Sequence, residues 1–217
     1  MDFISLNLVS VQFCIIIVTL AIIVNIAYST IQLGISPMPS TKAARTIMVQ
    51  WAYKYVQDMS LSTPSTKPVA IAELGAGWGG LARQLARQLN QFDSKSTPQS
   101  KSIQVIAYEQ ALCPWLYCCM LQTIAPIKNL EFRKQNFLAQ DLTAFSLYLT
   151  YLYPQGMQAI AKQRQRQQIQ ATPLISCAFA LPNETLIKKH ILQDWLNTPV
   201  YWYEGVICQP SANNGLS

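Results

Sequence analysis

Charge is scarce in this chain. Only 12% of its 217 residues are Asp, Glu, Lys or Arg, about half the share of an ordinary soluble domain. Between Asp2 and Lys42 there is no charged residue at all. Histidine is scarcer still, with His190 alone, and the six cysteines (Cys14, Cys113, Cys118, Cys119, Cys177, Cys208) show no paired metal-ligand spacing. That inventory argues against a zinc centre, and no metal is expected. In a reducing compartment free thiols are the default, and Cys118-Cys119 inside an apolar run reads as core packing. The net charge of +6 is mild for a nucleic-acid binder, so no nucleic-acid partner is expected. The basic cluster Lys162-Gln163-Arg164-Gln165-Arg166-Gln167-Gln168 reads as a solvated helix face, with contact to anionic lipid as the competing reading.

Apolar residues fill the space that charge leaves. They make up 51% of the chain, and the run Phe13 to Val24 is almost wholly apolar. Extended from about Leu6 to Tyr28 it is long enough to cross a bilayer, which takes roughly 20 residues. A cleaved signal peptide would carry a basic residue ahead of the apolar core, and here only Asp2 stands there. An interfacial amphipathic helix needs a charged face, which is absent. A membrane-spanning anchor is therefore expected over residues 1–35. Lys42, Arg45 and Lys54 follow it and nothing basic precedes it, so the positive-inside rule puts the remainder in the cytoplasm. Residues 36–68 then read as a juxtamembrane helix and linker. Ser36-Pro37-Met38-Pro39-Ser40 is a turn, Thr41 to about Asp58 is helical, and Ser60 to Pro68 is a Ser/Thr/Pro-rich connection.

The centre of the chain is Glu73-Leu74-Gly75-Ala76-Gly77-Trp78-Gly79-Gly80. The run Val69-Ala70-Ile71-Ala72 before it reads as a buried strand. Leu81, Leu85 and Leu89 after it sit at helical spacing. Strand, glycine turn and helix suit a bound anion or nucleoside, because glycines turn tightly and a helix N-terminus offers free N–H groups. Gly75, Gly77 and Gly80 satisfy the dinucleotide spacing G-x-G-x-x-G. Glu73, Gly75, Gly77 and Gly79 also fit acidic-x-Gly-x-Gly-x-Gly, which resembles the first motif of class I S-adenosylmethionine-dependent methyltransferases. The acid tips the balance, since a carboxylate there repels a diphosphate and suits the ammonium of S-adenosylmethionine. An ordinary glycine-rich turn with no ligand is the third reading.

Gln91 to Ser102 reads as a polar surface loop, longer than most such connections. Ile103 to Glu109 is a second strand ending in an acid, where ribose hydroxyls are commonly held. Pro114 opens a helix in its first turn. Leu130 to Lys134 alternates like a third strand, followed by Asn136 and Phe137, which read either as a partner for an adenine edge and a stack for its ring or simply as turn and core. Phe145 to Pro154 is a fourth strand with its outgoing loop, and Gln155 to Gln170 is helix. Leu174 to Pro182 suits a central buried strand. Lys188 to Leu196 and Pro199 to Val206 form a closing pair of strands, and 208–217 is a polar tail.

In this order the chain resembles a class I methyltransferase from about residue 40 to 207, with the core of that domain at 69–207. It is similar in shape to small membrane-anchored methyltransferases that modify lysines of mitochondrial membrane proteins, and to their bacterial relatives. Gly34-Ile35-Ser36-Pro37-Met38-Pro39-Ser40, Glu73 to Gly80, Tyr108-Glu109, Tyr151-Leu152-Tyr153-Pro154 and Phe179-Ala180-Leu181-Pro182 carry that likeness. The resemblance implies a Rossmann-like α/β sheet, mostly parallel with the last strand antiparallel, and helices on both faces. It implies S-adenosyl-L-methionine held by Glu73, Gly75, Gly77, Trp78, Gly79, Glu109, Asn136 and Phe137. It implies a methyl acceptor that is a protein amine near the membrane, with Tyr151 and Tyr153 orienting it. Asn136 stands where an Asp often meets adenine, and Tyr151 where many methyltransferases place Asp or Asn. Two other functions compete: an NAD(P)-dependent oxidoreductase, and a tethered binding protein with a methyltransferase-like fold and no catalysis.

Overall fold

The computed structural model of the chain describes residues 2–33, 40–62, 68–93 and 103–204. Its elements run α1 (Asp2–Leu33), α2 (Lys42–Ser62), β1 (Val69–Leu74), α3 (Gly80–Asp93), β2 (Ile103–Tyr108), α4 (Leu112–Ile124) and β3 (Leu130–Arg133). A short 3-10 turn (Phe137–Ala139), β4 (Leu147–Thr150), α5 (Pro154–Arg166), β5 (Leu174–Cys177), β6 (Leu186–Ile191) and β7 (Pro199–Tyr203) complete it. The Ser36–Pro39 turn, most of the linker before β1, most of the loop after α3 and the tail lie outside the described residues.

The strands form one sheet in the order β3-β2-β1-β4-β5-β7-β6. From β3 through β5 every pairing is parallel, and β7 runs antiparallel to both β5 and β6. The expected mixed sheet is therefore present, with its antiparallel strand one place in from the edge. β1 is apolar without alternation because both of its faces are covered. Ile71 joins a core layer with α2 and α3, while Ala72 and Leu74 join the layer that holds Met157 and Ile160 of α5.

α2 belongs to the folded unit. Ala44, Met48, Ala52 and Val56 recur every fourth residue and are all buried, as the inward stripe of a docked helix should be. Tyr55 Oη donates to the Ser146 carbonyl at 3.1 Å, and Trp51 meets Trp202 edge-on at 6.3 Å. The helix continues past Asp58 to Ser62, into the stretch read as linker.

Within the basic cluster on α5, Lys162, Gln165 and Arg166 are exposed as a solvated face requires, and Gln163 and Arg164 depart from it. α5 stops at Arg166, short of Gln170, and the chain turns back through Gln168 at φ +56°. That reversal brings the Gln170 carbonyl back against Arg164. Gln163 and Arg164 are buried, and Arg164 makes a bidentate pair with Glu184 at 2.7 and 2.8 Å. The guanidinium also donates to the Gln170 carbonyl at 2.9 Å and lies 5.6 Å from the centre of the Tyr148 ring.

Winding order places the site. From β1 the chain moves outward through β2 to β3, then returns to β4 on the other side of β1. The carboxyl ends of β1 and β4 flank a topological switch point, where open α/β sheets hold their ligands.

Candidate active site

β1 ends where the glycines begin. Gly75, Gly77 and Gly79 have φ of +84°, +54° and +71°, the left-handed region that glycine enters without steric cost. At Gly75 a Cβ would also stand 2.8 Å from Leu152 Cδ2. At Gly77 a Cβ would meet nothing within 4 Å, so that side of the turn is open. Gly79 faces packed protein, with Cys118 Sγ and Phe132 Cζ within 3 Å of where its Cβ would lie. The turn is tied to the end of β2, where the N–H groups of Gly75 and Ala76 donate to the Tyr108 carbonyl at 3.1 and 2.8 Å.

A cavity of about 590 Å³ opens beside this turn, a size ordinary for a small-molecule site. Glu73, Gly75, Gly77, Trp78 and Glu109 line it from the β1 and β2 side, and Phe137, Tyr151 and Tyr153 also form its walls. Gly79 and Asn136 do not. Asn136 is exposed and its Oδ1 accepts the Leu138 N–H at 3.0 Å, capping the 3-10 turn. Trp78 meets Tyr117 edge-on at 5.5 Å, and Tyr153 stacks on Phe179 at 5.7 Å.

The two acids differ in their surroundings. Glu73 is 4% exposed and its Oε2 has no hydrogen-bond partner. Burial pushes its carboxyl up to about 8; the Ala82 N–H pulls it down, the charge of Glu109 adds to the rise, and Arg45 offsets part of it. A buried, unpartnered carboxyl oxygen in a cavity wall is costly unless something pairs with it. Glu109 is also raised by burial, opposed by the N–H groups of Ala111, Gly77 and Gln110. Its Oε2 accepts the Gly77 N–H at 2.6 Å and its Oε1 the Ala111 N–H at 2.7 Å. A carboxylate has about four lone-pair sites, so Glu109, with three N–H groups on it, braces the loops after β1 and β2 and keeps capacity for about one more donor.

Burial raises the Tyr151 phenol above its ordinary value, with Cys177, Tyr153 and Asp194 adding to it, so it stands in the cavity as a neutral hydroxyl. Burial pushes the Cys118 thiol up to about 12, with the charges of Glu73 and Glu109 adding to it. With its Sγ 3.5 Å from the Gly77 carbonyl, it is a packing group under the loop.

From sequence Arg45 reads only as a basic flank of the apolar span. It lines the cavity, donates to the Ser40 carbonyl at 2.6 Å, and lies against Gly80 at the start of α3. Only the docking of α2 brings it there, and no spacing within residues 40–60 marks it. Leu152, Phe179 and Pro199 are further walls, of which Leu152 and Phe179 fall in segments the resemblance had quoted.

No protein-family model matches the chain, and no curated protein sequence matches it. Solved structures do. An RNA methyltransferase from Salinibacter ruber, in complex with S-adenosyl-L-homocysteine, superposes with a TM-score of 0.54 at 15% identity, over 80% of this chain and 97% of its own. The candidate methyltransferase yhhF from Escherichia coli gives 0.55 at 11% identity, over 78% and 90%. A candidate class I S-adenosylmethionine-dependent methyltransferase from Listeria monocytogenes gives 0.53 at 10%, over 78% of this chain and 62% of its own. At such identities the likeness speaks for the fold, and the fold is that of class I methyltransferases.

Proposed function

We propose that this protein is an S-adenosylmethionine-dependent methyltransferase, tethered to a membrane by α1 and acting on a protein amine, a lysine, close to the bilayer. The observation that carries the reading is one cavity, at the switch point of a methyltransferase fold, whose walls include both Glu73 and Glu109. The residues fit the cofactor. The unpartnered Glu73 Oε2 is a partner for the ammonium, and the open side of Gly77 lets a ligand approach the backbone. The remaining acceptor position of Glu109 suits a ribose hydroxyl. Phe137 and Trp78 are apolar walls for the ring. Asn136 and Gly79 act at one remove, through the 3-10 turn and the packing of the glycine loop.

When bound, S-adenosylmethionine supplies a methyl group on a sulfonium, ready for in-line displacement. Positioning supplies much of the rate of such a step. Tyr151 and Tyr153 orient the incoming amine, their hydroxyl oxygens accepting its N–H so that the nitrogen lone pair stays free to attack the methyl carbon. An amine reacts only when neutral, and the aromatic walls (Tyr151, Tyr153, Phe179) favour that form by withholding water.

α1 supports the tether. It is 32 residues long, and its segment Ser10–Ala27 has a mean hydropathy of 2.4 with none of it buried. It is long and apolar enough to cross a membrane.

Transfer of a labelled methyl group from S-adenosylmethionine to protein in a membrane extract tests the reading. Transfer by the wild type, lost in Glu73→Ala and in Gly75→Arg, supports it. Binding of the cofactor without any transfer would favour a non-catalytic tethered protein, and label in lipid would replace the protein acceptor.

A further inference from the structure

We propose that α4 presents a second membrane-contacting face, which lays the folded unit against the same bilayer that α1 crosses. The inference rests on the tether reading above, and the occupant of the face is the lipid leaflet itself.

α4, Leu-Cys-Pro-Trp-Leu-Tyr-Cys-Cys-Met-Leu-Gln-Thr-Ile, holds no charged residue, and none occurs anywhere from Gln110 to Ile127. Pro114 and Cys118 face the core. Leu112, Leu116, Met120 and Ile124 recur every fourth residue on the outside, exposed by 37%, 50%, 50% and 71%. A surface helix of a soluble domain places polar side chains there. α4 is 13 residues long, too short to cross a membrane, which takes roughly 20. It can therefore only lie along a surface, with the protein covering one side of it.

Two observations identify the surface as lipid. The first is continuity with the span. α1 packs on α4, and Ile26 of α1 shares the walls of one cavity with Tyr117 and Leu121 of α4. The end of the apolar span Ser10–Ala27 thus lies beside α4. The second is the rim. Lys128 follows α4 and is exposed, and exposed Lys134 holds its Nζ 5.7 Å from the centre of the Trp115 ring. A tryptophan and lysines beside an apolar stripe match the composition of a bilayer interface, where indole rings sit at headgroup level and lysines meet anionic lipid. Pro114, Tyr117 and Leu121 of the same helix wall the cavity, which would bring the acceptor in along the membrane plane.

The test uses the full chain in vesicles of phosphatidylcholine and phosphatidylglycerol with labelled acyl chains. The photoreactive residue p-benzoylphenylalanine replaces Leu116, Met120 or Ile124 in turn, Ile17 as the reference for the span, and Gln165, exposed on α5, as the water-facing reference. These side chains are exposed, so the replacements leave the core intact. Lipid adducts at 116, 120 and 124 at least about tenfold above those at 165, as for a helix seated in the interface, support the proposal. Adducts at 17 with only background at the α4 positions overturn it and leave the tether standing. Background at 17 as well overturns both. A chain-to-chain adduct at α4 overturns it in favour of a second copy as the occupant. Methyl transfer is not the readout, so loss of activity and loss of docking are told apart.

Discussion

Replacing Glu73 with Gln should change cofactor affinity in a way that depends on pH. The Glu73 carboxyl is buried, unpartnered at Oε2 and pushed up to about 8. An ammonium is held by the carboxylate, so below pH 8 binding must first remove the proton. At pH 6 that removal costs about 3 kcal/mol, at roughly 1.4 kcal/mol per unit. The charge-assisted hydrogen bond gained is worth about 1.5–3 kcal/mol, so the two nearly cancel. Wild type and Glu73→Gln should then bind S-adenosylhomocysteine within a few-fold of each other at pH 6. At pH 8.5 Glu73 is mostly ionised, and wild type should bind roughly 10- to 150-fold more tightly. Titration calorimetry at both pH values, in buffers of unlike ionisation heat, reads both affinity and proton release. Wild type should release only about 0.1–0.6 of a proton per ligand at pH 6, since the gain lowers the carboxyl by about 1–2 units, and the variant none at this site. An affinity ratio that stays constant across pH would refute the assignment of Glu73 to the ammonium.

Three further outcomes follow from particular contacts. Gly75→Ala should lower stability by about 1–3 kcal/mol in thermal or urea unfolding, from a φ of +84° and a contact of 2.8 Å with Leu152. Leu152→Ala opens a cavity with a cost of its own but relieves the contact, so the double variant should lose less stability than the sum of the two single losses. Arg164→Met leaves the Glu184 carboxylate without its partner and should cost about 3–5 kcal/mol, part of which Arg164→Met/Glu184→Gln regains. Tyr151→Phe and Tyr153→Phe should each slow methyl transfer about tenfold or more with S-adenosylhomocysteine affinity unchanged, because orientation of the acceptor is what they lose. Unchanged kcat in both would reduce them to cavity walls.

The parts of this molecule readable from sequence are those in which neighbours along the chain decide the structure. β1, the glycine turn and α3 follow from an apolar run, three positive-φ positions and leucines at helical spacing. Glu109 at the end of β2 is legible for the same reason. The parts that escaped reading depend on contacts between distant segments. Arg45 reaches the cavity because α2 docks through Ala44, Met48 and Val56. Arg164 looks like one of several solvated cations until the Gln170 carbonyl and the Glu184 carboxylate close on it. Asn136 has the composition of an adenine reader, yet its side chain satisfies the backbone of the next turn. Leu152 lies inside a quoted motif, but that it limits Gly75 is visible only when β1 and β4 stand side by side.

The claim on which the account stands is that the space between Glu73 and Glu109 accepts a sulfonium amino acid and its nucleoside, and refuses a dinucleotide. Titrating the full-length protein separately with S-adenosylhomocysteine and with NAD decides it. The account predicts saturable one-to-one binding of the first and no binding heat from the second. Saturation by NAD, or silence from S-adenosylhomocysteine with the protein folded, would contradict it.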